Sequence, residues 1–107
     1  MKVFCKKRFI ASAKFSNGFG LMFKKKLKDE EGIILETLEG RLSSSIHMLF
    51  VFQTIDIIWL DKDYKIVDIK NNIKPFTLFV MPRKKAKYIL ELSKVNNLKM
   101  GDKLSIR

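Results

Sequence analysis

Asp56 is the first residue in this sequence to suggest chemistry, because its carboxylate lies in the most apolar part of the chain. It stands between Ile55 and the Ile-Ile-Trp run of residues 57–59. Folding is expected to desolvate this carboxylate, and a desolvated carboxylate needs a partner. No second acid or base stands at a spacing that indicates paired acid and base catalysis. We therefore expect Lys70 or backbone amides to satisfy Asp56, with ligand binding as the alternative.

The other reactive side chains do not form a catalytic or metal-binding pattern. His47 is the single histidine and has no Cys or carboxylate at ligand spacing, which argues against a zinc or iron site. The serines of residues 43–45 are too close to His47 in an extended segment to form a triad with it. Cys5 has no second cysteine to pair with and is expected to pack as a small apolar residue. We predict no metal, no cofactor and no catalytic residue, and favour a protein that is not an enzyme.

The basic residues are concentrated at the two ends of the chain, whose net charge is +11. Residues 1–28 hold nine bases and no acid, residues 29–68 hold nine acids and three bases, and residues 69–107 hold ten bases and two acids. If the ends lie side by side, about 17 net positive charges gather on one side and attract polyanions. The alternative is a solvated surface, since 18 Lys, 4 Arg and 12 Ile are also typical of thermophile or AT-rich-genome composition.

Apolar spacings of three and four predict two short helices, over residues 16–27 and 83–94. Both helices carry clustered bases outside their apolar faces, and those bases are the predicted polyanion-binding residues. They are Lys24, Lys25, Lys26, Arg83, Lys84, Lys85 and Lys87.

β-branched and aromatic residues predict strands elsewhere. The segments are residues 3–10, 33–37, 46–52, 55–60 and 65–70, with a final strand through Leu104 and Ile106. The Asp61-Lys62-Asp63-Tyr64 turn predicts a hairpin around residue 63. In the expected register, Asp56 lies opposite Lys70 and forms a cross-strand ion pair with it. The predicted fold is α+β and mostly β: a compact antiparallel sheet or small barrel-like domain with one or two short helices.

The length of 107 residues predicts one domain, residues 1–107. The N-terminus meets basic residues before any apolar stretch long enough for a signal peptide, so we expect a cytoplasmic protein. The longest apolar segment, residues 46–60, is interrupted by polar residues and is too short to cross a bilayer, which needs roughly 20 apolar residues.

The order of several short motifs resembles the domain of unknown function 192 family. The motifs are Gly-Leu-Met at 20–22, Gly-Ile-Ile at 32–34, Met48 followed by the Asp56 segment 55–61, Lys-Ile-Val at 65–67, Pro75, residues 86–92 and Gly-Asp at 101–102. The resemblance implies a compact, mostly β domain with one or two helices. It implies no particular activity.

The chain departs from that family at two places that bear on a ligand site. Relatives often carry Met-Lys-Asn-Thr where this chain has Met-Leu-Phe-Val at 48–51, and an Arg shortly before Gly-Leu-Met where this chain has residues 17–19, Asn-Gly-Phe. If the family has a ligand site there, the candidate binding residues left in this chain are Gly20, Met22, Met48 and Asp56.

Three functions follow from these observations. The first is binding of nucleic acid or another polyanion through the basic ends, without catalysis. The second is a small-ligand or enzymatic domain with a pocket near Met48 and Asp56, which requires Asp56 to be partly accessible. The third is an accessory subunit whose exposed Phe residues pack on another protein.

Overall fold

The computed structural model describes residues 1–16, 27–41, 45, 52–77, 79–95 and 97–107. These residues form seven strands: β1 (Lys2–Cys5), β2 (Arg8–Phe15), β3 (Glu31–Gly40), β4 (Ile55–Leu60), β5 (Ile66–Ile73), β6 (Ala86–Leu92) and β7 (Ser105–Ile106). They make a single sheet in the order β5-β4-β6-β3-β2-β1-β7. Every neighbouring pair is antiparallel except β2 and β3, which run parallel.

The sheet curls until its two edges approach each other. Backbone hydrogen bonds join the segment before β7 to the start of β5: Leu104 N–H donates to Tyr64 O at 2.9 Å, and Ile66 N–H donates to Asp102 O at 2.8 Å. The core cluster on the concave face draws residues from the full width of the sheet, from Val3 on β1 to Ile66 on β5. The domain is therefore mostly β and barrel-like, as the sequence indicates.

The convex face carries a second, smaller core that β3, β4, β5 and β6 build. Ile33, Ile57, Trp59 and Ile89 form its centre, and Leu27 and Val80 pack against it from outside these strands. β4 and β6 contribute to both cores, and each lies between two other strands in the sheet. The sheet thus has apolar packing on both faces along these strands, and the acids Asp56 on β4 and Glu91 on β6 are both buried.

The predicted helix over residues 83–94 is wrong, because residues 86–92 form strand β6. β6 is central, with β4 on one side and β3 on the other. A strand that is buried on both faces shows a continuous apolar run without polar alternation, and such a run also matches helical spacing. Within the described ranges the chain contains no helix. The other predicted helix, residues 16–27, and the predicted strand 46–52 fall mostly on residues outside those ranges.

Two pairs of neighbouring strands are joined by short hairpin turns. The predicted hairpin around residue 63 is confirmed, and Asp61 Oδ1 accepts the backbone N–H groups of Asp63 at 2.8 Å and Lys65 at 3.0 Å. The predicted strand 3–10 is instead two strands, β1 and β2, with Lys6 and Lys7 between them at φ 51° and 69°. Two successive left-handed residues are the geometry of a type I′ turn, which matches the twist of the flanking strands.

Candidate functional site

Asp56 is a structural anchor in the described structure. Its side chain is buried, Oδ1 accepts the Asn72 backbone N–H at 2.8 Å, and Oδ2 accepts the Val95 backbone N–H at 2.6 Å. Both oxygens are therefore engaged by backbone amides, which is one of the two expected ways of satisfying this carboxylate. The carboxylate ties the end of β5 to the segment that follows β6.

The expected ion pair between Asp56 and Lys70 is wrong. Ile57, and not Asp56, lies opposite Lys70, because the irregularity between Trp59 and Leu60 shifts by one residue the register that holds next to the turn, where Leu60 lies opposite Ile66. Lys70 Nζ donates instead to Met81 O at 2.8 Å and lies 6.0 Å from the centre of the Trp59 ring. Lys70 thus holds the 80–82 segment over the convex face.

Asp68 is a second buried anchor, which the sequence analysis did not identify. Its oxygens accept the backbone N–H groups of Ile69 at 2.9 Å and Arg83 at 2.8 Å, and the Arg83 Nε atom lies 3.4 Å from Oδ1. Arg83, a predicted polyanion-binding residue, is therefore tied to the sheet through Asp68, although its side chain is largely exposed.

Glu91 is a buried acid whose burial is not offset at both carboxylate oxygens by hydrogen bonds. It lies at the centre of β6, directly opposite Ile33 on β3 and Ile57 on β4, and is 3% exposed. Among the described residues, its Oε1 has no hydrogen-bond partner. Burial raises the pKa of Glu91 from 4.5 to about 7. Glu91 carries the same signal as Asp56, an acid inside an apolar run, but the predicted helix over residues 83–94 gives no reason to expect its burial.

Three of the other predicted polyanion-binding residues, Lys84, Lys85 and Lys87, lie within the described part of the chain. Lys84 and Lys85 are exposed in the segment before β6. Lys87 on β6 pairs with Glu36 on β3, with 3.1 Å between Nζ and Oε2. Lys24, Lys25 and Lys26 lie outside the described residues, as do the ligand-binding candidates Gly20, Met22 and Met48. For these six residues the sequence predictions stay predictions.

The structure brings the two basic ends of the chain together. β1 pairs with β7, with Val3 opposite Ile106, and Lys2 and Arg107 exchange both backbone hydrogen bonds at 2.7 and 2.8 Å. The two ends of the chain therefore lie side by side, as a joint basic surface requires. We call the surface along this seam the basic edge, and its members are all exposed: Lys2, Lys6, Lys7, Lys65, Lys99, Lys103 and Arg107.

Like charges lie close together along the basic edge. Lys65 and Lys103 are directly opposite each other in an antiparallel bridge, an arrangement that places two ammonium groups on neighbouring backbone segments and is unfavourable without a counter-charge. Asp102 supplies a counter-charge to Lys6, with 3.9 Å between Asp102 Oδ1 and Lys6 Nζ. Arg107 lies over the Phe4 ring at 4.8 Å from its centre, a cation–π geometry.

A cleft of about 390 Å³ adjoins this edge. It is lined by Arg8, Phe9, Ile10, Asp29, Glu30, Ser93 and Lys94. The lining combines both signs of charge with one aromatic ring, so it suits a polar ligand that has a flat apolar face. Sequence reasoning missed this cleft, because its walls come from three segments that are far apart in the chain.

Three features find no support in the described part of the chain: a metal site, a helix that crosses a membrane and a ligand pocket at Asp56. Within residues 1–16, 27–41, 45, 52–77, 79–95 and 97–107, no three His, Cys, Asp or Glu side chains are grouped so that they could hold a metal ion. The same residues include no helix that is long and apolar enough to cross a membrane. A pocket at Asp56 would require an accessible carboxylate, whereas this side chain is 4% exposed.

The described residues form a small, mostly β domain with a curled seven-stranded sheet, a fold also seen in solved structures. A protein of unknown function from Novosphingobium aromaticivorans has the same fold, with a TM-score of 0.75 and 21% identity over 98% of this chain and 82% of that chain. The family model of DUF192, described as "Uncharacterized ACR", matches residues 7–106, and the chain belongs to this family. The resemblance seen in the sequence motifs is thereby confirmed.

Archaeal relatives match a large part of the chain. A UPF0127 protein of Pyrococcus horikoshii is 35% identical over 77% of this chain and 68% of its own length. A UPF0127 protein of Thermococcus sibiricus is 40% identical over 77% of this chain and 51% of its own length. The match thus spans between about half and two thirds of these relatives.

Proposed function

We propose that this chain binds polyanions, single-stranded nucleic acid first among them, along the basic edge. The pairing of β1 with β7 carries the proposal, because it unites two basic chain ends that are about a hundred residues apart in sequence. The proposal is one of binding without catalysis, in the cytoplasm, where nucleic acid is available.

The charge distribution along the edge supports a polyanionic partner. Lysines that face each other, such as Lys65 and Lys103, repel in the free protein. A phosphate chain bound across them would replace that repulsion with attraction and release its own condensed counterions, which is the main source of affinity for nucleic acid backbones. A flexible single strand can follow a curved edge more readily than a rigid duplex can.

Aromatic rings next to the edge favour a single strand over a simple polyanion. Arg107 covers the Phe4 ring, and the Phe4 and Phe9 rings meet edge to face with centres 5.8 Å apart. Phe9 is 39% exposed. Single-stranded nucleic acid commonly combines phosphate contacts with the stacking of bases on such rings.

Salt dependence tests this function directly. We expect a fluorescein-labelled uridine octamer to bind at 50 mM salt and to lose about 50- to 340-fold in affinity at 200 mM, as four to six phosphate contacts would produce. Fluorescence anisotropy measures both constants, with a DNA duplex of equal charge and heparin as comparisons.

Each outcome of this titration has a defined meaning. Steep salt dependence together with a preference for the single strand over heparin supports the proposed function. Equal binding of all three ligands would mean that charge alone determines binding, with no preference for nucleic acid. Absence of binding at 50 mM salt would refute the proposal and leave the basic edge as a solvated surface.

A further inference from the structure

The cleft beside the basic edge is produced by the unusual pairing of β2. β2 pairs with β1 from its first residue, with Arg8 opposite Cys5, but it pairs with β3 only from Ser12 onward. Its first residues therefore extend beyond the start of β3, which begins at Glu31 opposite Ser12, and have a strand neighbour only on the β1 side. The turn before β3 and the segment after β6 form the other walls of the gap.

Hydrogen bonds join the walls of the cleft to one another. Ser12 N–H donates to Glu30 O at 2.7 Å, which fixes the turn that carries Asp29 and Glu30. The Ser93 hydroxyl donates to Lys28 O at 3.3 Å, and the Arg8 guanidinium donates to Asn97 O at 2.9 Å. The third wall is thereby joined to the first two.

We propose that this cleft receives one base of a bound single strand and selects guanine. The inference rests on the proposed function and names the ligand of the same surface more narrowly. The exposed face of Phe9 stacks on the base, Arg8 and Lys94 contact the flanking phosphates, and a carboxylate of Asp29 or Glu30 accepts hydrogen bonds from the base edge.

The selectivity follows from the hydrogen-bonding groups of the bases. A carboxylate has two acceptor oxygens and no donor. Guanine presents an N–H and an adjacent amino group on one edge, so it can donate to both oxygens at once. Uracil presents a single N–H between two carbonyl oxygens, and those carbonyls repel a carboxylate. Adenine and cytosine each offer one amino group and are expected to bind with intermediate affinity.

The cleft is linked to the basic edge through the rings of Phe4 and Phe9. Arg107 belongs to the edge and covers Phe4, and the Phe4 ring touches Phe9, which lines the cleft. A strand whose phosphates follow the edge can therefore place the next base on Phe9. The volume of about 390 Å³ is in the range of small-molecule sites and accommodates a single base.

The test compares labelled uridine octamers that carry one central G, A or C with the unsubstituted octamer, by anisotropy at 50 mM salt. Wild-type protein is expected to bind the G octamer about 10-fold more tightly than the uridine octamer. The double variant Asp29→Asn, Glu30→Gln is expected to lose this preference while it binds the uridine octamer at least as tightly as wild type. Glu39→Gln, on exposed β3 surface outside the cleft, is the control and should retain the preference.

The outcomes separate this inference from the proposed function. If wild type binds all four octamers equally with steep salt dependence, the base site is refuted and polyanion binding stands. A G preference that survives in the double variant refutes the roles of Asp29 and Glu30. If no octamer binds at 50 mM salt, both proposals fail. Thermal unfolding followed by circular dichroism verifies that each variant is folded, which is expected because both substituted side chains are exposed.

Discussion

Replacing Asp56 with alanine is expected to lower the free energy of unfolding by about 3 to 5 kcal/mol. The change leaves the Asn72 and Val95 backbone N–H groups, now bonded at 2.8 and 2.6 Å, without their acceptor. A buried donor that loses its partner costs about 1 to 3 kcal/mol, and bonds to a charged acceptor are at the upper end. Asp56→Asn keeps one acceptor oxygen but turns an amino group toward the other donor, so we expect about half of that loss.

Urea unfolding at pH 7 measures these differences. Asp63→Ala is the matched control, because Asp63 is exposed in the β4–β5 turn and should change stability by less than about 0.5 kcal/mol. Affinity for the uridine octamer should be unchanged in folded Asp56→Asn protein. If that variant instead kept wild-type stability and lost affinity for a ligand, Asp56 would be a binding residue, as the pocket hypothesis requires.

The pH dependence of stability is expected to be governed by Glu91. Burial raises its pKa in the folded protein to about 7 from an ordinary value of 4.5. The favourable contribution of its neutral form is therefore fully present below about pH 4.5, and it is lost as the pH rises through about 7. A shift of this size corresponds to roughly 3 kcal/mol. Lys70 and Lys14 share the row of Glu91 on the convex face, but each is separated from it by an isoleucine, Ile57 or Ile33.

Glu91→Gln tests this expectation, since glutamine has the shape of the protonated acid and does not ionise. At pH 8 the variant should be more stable than wild type by about 2 to 3 kcal/mol, whereas at pH 4.5 the two should be nearly equal. Urea unfolding at both pH values gives the comparison, with Glu39→Gln on the exposed surface as control. A wild-type stability that does not fall between pH 5 and 8, or a variant that gains nothing at pH 8, would show that Glu91 is ionised and stabilised in the folded protein.

The β4–β5 hairpin could be predicted because its signal is local. Asp61 reaches backbone amides two and four residues later, so four residues determine the turn. The register of the same hairpin could not be predicted, because irregularities between Ile55 and Ile57 and between Trp59 and Leu60 shift it. The sequence of β6 predicts a helix because burial by β3 and β4 removes the alternation that marks a strand.

The candidate site likewise has features that neighbouring residues determine and features that depend on residues far away in the chain. The burial of Asp56 follows from its apolar neighbours, but its partners lie 16 and 39 residues further along the chain. The basic edge forms because β1 pairs with β7. The charge pattern alone predicts such a surface only if the two chain ends lie side by side. The cleft requires three distant segments to meet, and no short motif in the sequence indicates that meeting.

The measurement that decides where polyanions bind compares two variants with equal loss of charge. One carries Lys6→Gln, Lys7→Gln and Lys103→Gln on the basic edge, and the other carries Lys74→Gln, Lys84→Gln and Lys85→Gln at exposed positions between β5 and β6. Anisotropy with the uridine octamer should show about 10- to 100-fold weaker binding for the edge variant at 50 mM salt and a salt slope smaller by about 2. The second variant should stay within about 3-fold of wild type. An equal or larger loss in the second variant would contradict binding at the basic edge and favour the segment around Lys84 and Lys85.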